Sequence, residues 1–502
     1  MPQLTSETRS EARAALESAR EHLLSLQHES GWWRGELQTN VTMDAEDVLL
    51  REFLGIRTAA ESERSAAWIR SQQRADGTWS NFYGGPGELS TTIEAYWALR
   101  LCGDSPEAEH MLAAAEFIRD GGGLERARVF THVWLALFGL WSWERVPALP
   151  PEVILLPASA PLNVYDFACW ARQTIVALSL VKAHRPVHAL PFDLRELHAD
   201  VRAGERPARP RSRRGRWLER LDRVLRAYER RPLAPLRRLA LARAERWIVR
   251  RQEADGSWGG IQPPWVYSLM ALHLAGYPLE HPVLRRGLDG LERFMVEDRD
   301  DARNAGARSE SRPPSRRLEA CQSPVWDTAL AMVALGDAGI SPQEPAMERA
   351  AAWLLGEEVT VRGDWAVKRP ALDPGGWAFE FANVNYPDVD DTVEVVLALL
   401  RAHGAGALRA PIDAAIERAL AWVQGMQSSG GGWGAFDADN TRALVRELPF
   451  LDFGEVIDEP SADVTAHAVE MLGALGLGHT PAARAGVRWL LERQEADGSW
   501  FG

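Results

Sequence analysis

Three carboxylates, Asp388, Asp390 and Asp391, fall within four residues of the run Tyr386-Pro387-Asp388-Val389-Asp390-Asp391-Thr392, and a mostly apolar stretch from Val393 to Leu400 follows at once. Crowded carboxylates cannot all ionise cheaply, so at least one tends to keep its proton near neutral pH. A carboxylic acid held in an apolar place is a Brønsted acid, suited to protonating a weak base. A second run, Ser461-Ala462-Asp463-Val464-Thr465-Ala466-His467, puts Asp463 and His467 four residues apart. On a helix they share a face, so Asp463 can hold His467 charged. An imidazolium bonded to one oxygen of a carboxyl makes the remaining proton more acidic. Two other readings stay open on spacing alone: an acidic helix cap at Asp388–Asp391, and a structural histidine.

The elements that must position these groups read as helices. Pro387 suits a helix start, and Ser461 after Pro460 suits a cap. Apolar residues follow helical spacing at Leu49-Leu50-Phe53-Leu54, Trp134-Leu135-Leu137-Phe138 and Thr328-Leu330-Ala331-Val333-Leu335, and long period-two runs are scarce. Many of the 21 tryptophans sit in a repeat, Gln-x-x-x-Gly-x-Trp. It occurs at Gln27/Gly31/Trp33, Gln73/Gly77/Trp79, Gln252/Gly256/Trp258, Gln427/Gly431/Trp433 and Gln494/Gly498/Trp500, with a degenerate copy at Gly363-Asp364-Trp365. The spacing predicts a helix that stops at a left-handed Gly, a Trp folding back, and a Gln amide tying neighbouring turns. Such a repeat predicts an all-α chain of helix hairpins locked together, as in a barrel of helices.

At 502 residues the chain is long enough for two or three domains. Cys102, Cys169 and Cys321 are far apart, so neither a disulfide framework nor a CxxC pair is expected and a reducing setting is the default. No HExxH, GxxxxGK[ST] or GxSxG occurs, so no metal or nucleophile-elbow chemistry is expected. The N-terminus is polar, with no secretory signal, and no stretch approaches the roughly 18–20 apolar residues of a spanning helix. A net charge of −13 argues against general nucleic-acid binding. The charge is uneven, however: Arg202 to Arg251 holds 18 arginines against five acids, with Trp217-Leu218, Leu221 and Val224-Leu225 at helical spacing. This reads either as a basic amphipathic helix for an anionic membrane surface or as a solvated helix paired to acidic neighbours. The polar, Arg/Ser-rich stretch from Glu297 to Arg317 reads as an insertion or inter-domain linker.

From about Leu23 to Gly502 the chain resembles the squalene–hopene cyclases. The resemblance is carried by Gly375-Gly376-Trp377-Ala378-Phe379-Glu380-Phe381 leading into Asp388-Val389-Asp390-Asp391-Thr392, and by Gly259-Gly260-Ile261-Gln262-Pro263-Pro264-Trp265. Ser323-Pro324-Val325-Trp326-Asp327-Thr328, Gly432-Trp433-Gly434-Ala435-Phe436-Asp437, Asp463-Val464-Thr465-Ala466-His467 and the Gln/Gly/Trp repeat add to it. The resemblance implies two α/α toroid barrels: a catalytic one from residues 1–37 and 308–502, and an inserted one from 38–307. It implies that Asp390 protonates a terminal alkene of squalene, that Asp388 and Asp391 flank it, and that His467, held by Asp463, polarises it. By the same resemblance Trp170, Trp326, Phe379 and Phe436 are aromatics facing the carbocation, where core packing is the ordinary reading. Glu46 and Gln262 resemble positions holding a water near the final cation, and Phe167, Ile175, Phe450 and Leu451 the constriction where substrate enters. The family needs no metal and no organic cofactor. It lies on the cytoplasmic face of a membrane without spanning it, and a homodimer is an accompanying expectation.

Family members continue past the position of Gly502, so a catalytic barrel left incomplete at its C-terminal end is expected. Two rival classes remain open: a class II diterpene cyclase, which uses a similar Asp-x-Asp-Asp acid on a diphosphate, and an inactive truncated lipid-binding barrel that needs a partner.

Overall fold

The computed structural model describes residues 6–199, 213–297, 314–404, 406–451 and 454–501. Among these the chain is mostly helical, with 17 α-helices and one two-stranded antiparallel ribbon, Met295–Glu297 with Arg316–Leu318. That ribbon pairs the ends of the expected insertion, and residues 298–313 lie outside the described residues. By packing the chain divides into two units: Met1–Glu36, Gln322–Thr441 and Asp458–Gly502, and then Leu37–Cys321 with Arg442–Ile457.

Each unit has two rows of helices. In the first, Pro324–Asp337 packs on Val389–Ala402, which packs on Ala462–Ala474. Pro345–Gly356, Arg409–Met426 and Pro481–Leu491 each back the helix that precedes them. In the second unit Leu89–Cys102, Thr42–Leu54, Gln262–Leu274 and Cys169–His184 make the corresponding succession, and Ala59–Ser71, Glu109–Asp120, Ala234–Val249 and Pro282–Arg293 pack outside it. Composition explains the sorting. Leu89–Cys102 is buried at eleven of its 14 residues, Ser90, Thr91, Thr92 and Glu94 among them, whereas Glu109–Asp120 is buried at four of 12 and has one apolar stripe.

The Gln/Gly/Trp repeat is a hydrogen-bonding unit. Gln27, Gln73, Gln252 and Gln427 each donate from Nε2 to the carbonyl of their repeat Gly and to a carbonyl at the start of another helix: Ala346, His110, Val283 and Ala482. Trp33, Trp79, Trp258, Trp433 and Trp500 each donate from Nε1 to the carbonyl ten residues back. The glycine is obligatory at Gly256, where φ is +93° and an added Cβ would lie 2.1 Å from the Arg286 carbonyl oxygen. The degenerate copy differs from expectation. The buried Trp365 indole N–H has no hydrogen-bond partner, and Trp377 fills the role, donating 2.6 Å to Leu354 O.

Candidate active site

Asp388 caps the Val389–Ala402 helix. Its Oδ1 accepts from the Asp391 N–H at 2.7 Å, so Pro387 lies one residue before the cap rather than in the first turn. The start of this helix is anchored from outside: Asp388 N–H donates to Trp377 O at 2.9 Å, and Val389 N–H donates to Ala435 O at 2.7 Å. Asp388 and Asp391 are each only 3% exposed. Burial pushes Asp388 up to about 7, and it pushes Asp391 well above the usual carboxylate range, aided by the neighbouring Asp388 charge. The flanking acids are therefore the buried, proton-retaining ones. Asp390 points elsewhere, with its side chain 25% exposed.

His467, on the Ala462–Ala474 helix, meets Asp390 across 77 residues of sequence, with Nδ1 2.6 Å from Oδ1. That bond, and then the Asp390 charge, raises the imidazole above its usual value against the opposing pull of partial burial. Asp463, four residues before His467, feels the imidazole charge as its spacing predicts, but its hydrogen bonds go elsewhere. Its Oδ1 accepts from the Val464 N–H at 2.9 Å, because a carboxylate in a first helical turn finds free N–H groups closer than the next turn's side chain. The second carboxylate near His467 is Glu394, whose Oε1 is 3.9 Å from Nδ1. The sequence reading missed it, although it stands four residues after Asp390 on the same face.

Trp326, Phe379 and Phe436 belong to this first unit and are half-buried. Phe436 sits on a loop held from below by Asp458. This fully buried carboxylate accepts from the N–H groups of Ala435, Phe436 and Asp437 at 3.0, 2.7 and 2.6 Å, and burial pushes it up to about 7. The same loop supplies the Ala435 carbonyl to Val389, so one network orients both the aromatic ring and the acid helix. Nothing in local spacing announces Asp458, whose partners lie 21–23 residues away.

The remaining expected positions lie in the second unit. Glu46 is buried and accepts from Gln262 Nε2 at 3.1 Å; burial, then the nearby Glu94 charge, raises its carboxyl. Glu46 and Trp170 line a cavity of about 210 Å³ together with Arg128, Phe130 and Tyr267. Trp170 Nε1 donates to Glu455 O at 2.9 Å. Phe167, Ile175, Phe450 and Leu451 come together around a smaller cavity of about 60 Å³, lined also by Leu218, Leu221 and Leu225 of the Arg213–Arg230 helix. Residues 442–457 reach this unit through the Arg442–Asp166 ion pair at 3.0 Å and the Ala168 N–H to Val456 O bond at 2.9 Å.

The basic segment is paired in part to acidic neighbours, as the second sequence reading expects. Two of its acids face inward: Asp222 accepts from the Ala148 N–H at 2.7 Å and Glu229 pairs with Lys182 at 2.5 Å. Some arginines are paired, as in Arg230–Glu144 and Arg237–Glu152. Outward, Val224, Leu233, Leu236 and Leu239 are exposed among the exposed Arg220, Arg223, Arg238 and Arg243. Val224 therefore points away from the apolar face on which its spacing placed it, the side chain of Trp217 lies outside the described residues, and so does the backbone of 200–212. Among the described residues no helix is long and apolar enough to cross a membrane.

Two family models match: the squalene-hopene cyclase N-terminal domain over residues 16–300 and the squalene-hopene cyclase C-terminal domain over 322–502. The chain is 46% identical to a squalene–hopene cyclase of Alicyclobacillus acidocaldarius, covering 97% of this chain and 75% of that one. It is 38% identical to a squalene–hopene cyclase of Zymomonas mobilis over 97% and 74% of the two chains. It is 36% identical to a dammaradiene synthase of Dryopteris crassirhizoma over 97% and 71%.

Proposed function

The chain belongs to the squalene–hopene cyclase family, and on that premise we propose that it converts squalene to a hopene-type pentacyclic triterpene, hopene or hopanol. The observation that carries this reading is the Asp390–His467 pair, 2.6 Å apart, at the start of a helix whose flanking acids Asp388 and Asp391 are buried. An alkene is a very weak base, so its acid must be strong. The His467 imidazolium, bonded to Asp390 Oδ1, withdraws charge from the carboxyl and stabilises the carboxylate left behind. Burial favours the neutral forms of Asp388 and Asp391, which reduces the negative charge that would hold the proton back.

The proton leaves Asp390 for the terminal double bond, and the tertiary cation formed there is attacked by the next double bond in turn. The faces of Trp326, Phe379 and Phe436 stabilise positive charge without trapping it; the family resemblance assigns Trp170 to the same task. Loss of a proton from the final cation gives hopene, and capture of a water gives hopanol. Glu46 with Gln262 is the polar pair assigned to that last step. Phe167, Ile175, Phe450 and Leu451 are assigned to substrate entry. The exposed leucines and arginines of the Arg213–Arg230 and Ala234–Val249 helices are assigned to attachment on the cytoplasmic face of a membrane.

Purified protein incubated separately with squalene and with geranylgeranyl diphosphate, with extracts analysed by gas chromatography and mass spectrometry, tests the reading. Pentacyclic product from squalene alone is expected. A bicyclic diphosphate from the second substrate, with squalene untouched, would replace this reading by that of a diterpene cyclase. Recovery of both substrates unchanged would leave the lipid-binding barrel.

A further inference from the structure

We infer that Glu394 is the counter-ion of His467, holding the imidazole charged during the part of the cycle in which Asp390 carries its proton. The assignment rests on Asp390 being the acid. A carboxyl that is about to donate a proton is neutral, so the imidazolium 2.6 Å away has no anion in Asp390 at that moment. A cation in a half-buried place needs one. Asp463 also feels the His467 charge, but its carboxylate is engaged at its own helix start by the Ser461 side chain and the Val464 N–H. Glu394 stands one turn beyond Asp390, its side chain 8% exposed and its Oε1 3.9 Å from His467 Nδ1. That distance is too long for a hydrogen bond and short enough for charge pairing. The ionisable groups that face Glu394 are His467, Asp390 on its own helix and Glu470 on the histidine helix. Burial pushes the Glu394 carboxyl up and the His467 charge pulls it back down, as a pair that ionises together requires.

When Asp390 has given up its proton it becomes an anion again and shares the imidazolium with Glu394. Glu394 is thus a positioning residue: it acts through His467 and leaves the substrate to Asp390. Removing its charge lowers the imidazole pKa, so the charged form is lost at a lower pH as pH rises.

The test is the titration of ¹⁵N-labelled histidine by nuclear magnetic resonance, with His467 identified by the signal that His467→Gln removes. In Glu394→Gln the His467 midpoint is expected to fall by about half a pH unit or more, smaller than for a fully buried pair because the imidazole is partly solvated. In Glu394→Asp, which keeps the charge at a greater distance, it is expected to fall by less. With squalene, the alkaline limb of kcat moves to lower pH in Glu394→Gln while KM is unchanged. A midpoint in Glu394→Gln equal to that of the parent overturns the inference. Should Glu394→Gln not fold, a midpoint in Glu394→Asp equal to or above the parent's overturns it. A shifted midpoint in a parent protein that converts no squalene would keep the counter-ion and remove the proposed function instead.

Discussion

At the scale of residues, the site divides labour among five carboxyls and one imidazole by burial alone. Asp388 and Asp391 are buried and proton-retaining, Asp390 is the accessible one, Asp458 is spent on backbone amides, and Glu394 stands behind His467. The acidic run and His467 were legible in the sequence, because each marks a helix start. The bond of His467 to Asp390 was implied by the family resemblance, whereas the engagement of Asp463 at its own helix start was not legible, since a first-turn carboxylate has two competing partners and spacing does not rank them. Glu394 was hidden inside a run that reads as apolar. His467→Ala is expected to lower kcat by roughly 10- to 100-fold with KM little changed, because the imidazole acts on the acid and not on substrate binding. In the parent, kcat should fall as pH rises through the raised His467 pKa and the imidazolium is lost. An unchanged kcat in His467→Ala, measured with saturating squalene, would remove the polarising role.

At the scale of elements, the Gln/Gly/Trp repeat was legible because its bonds are local: Gln to Gly spans four residues, and Trp to carbonyl ten. The degenerate copy was placed at Trp365 instead of Trp377 because the partner of Trp377, Leu354, is 23 residues back and no Gln precedes Trp377 at the repeat spacing. The basic segment shows a different limit. Helical spacing groups Leu218, Leu221, Val224 and Leu225, but the helix needs only three of them inward, and Val224 joins Leu233, Leu236 and Leu239 on the surface. Exposed leucines flanked by arginines suit a lipid interface, where the apolar groups enter the acyl boundary and the cations meet anionic headgroups. The double variant Leu233→Glu/Leu236→Glu should bind vesicles containing anionic phospholipid at least about tenfold more weakly than the parent in a flotation assay. Equal flotation of parent and variant would remove these leucines from the proposed membrane attachment.

At the scale of the whole molecule, the helical class and the family were legible across nearly the full chain. The return of Arg442–Ile457 to the second unit was not. Phe450, Leu451 and Val456 are simply apolar in sequence, and an apolar residue carries no address until its partners are folded. Both units also share a liability in buried acids. Asp44 is pushed up to about 8, and Asp388 and Asp458 up to about 7, each chiefly by burial. In the unfolded chain such groups titrate near 4. Between about pH 4 and 8 the folded protein therefore holds protons that the unfolded chain has released, so stability falls as pH rises. The melting temperature, followed by circular dichroism, should drop from pH 5.5 to pH 8.5. A flat or rising profile would mean that these acids are ionised in the fold.

The central claim, that Asp390 starts a cyclisation by protonating an alkene, is tested most directly by running the squalene reaction in D₂O. Exchange loads the Asp390 carboxyl with deuterium, so hopene from the parent is predicted to carry one deuterium, on the ring carbon beside the gem-dimethyl carbon, and Asp390→Asn, folded as the parent is, should give no product. Unlabelled hopene from the parent, or labelled hopene from Asp390→Asn, would contradict the account.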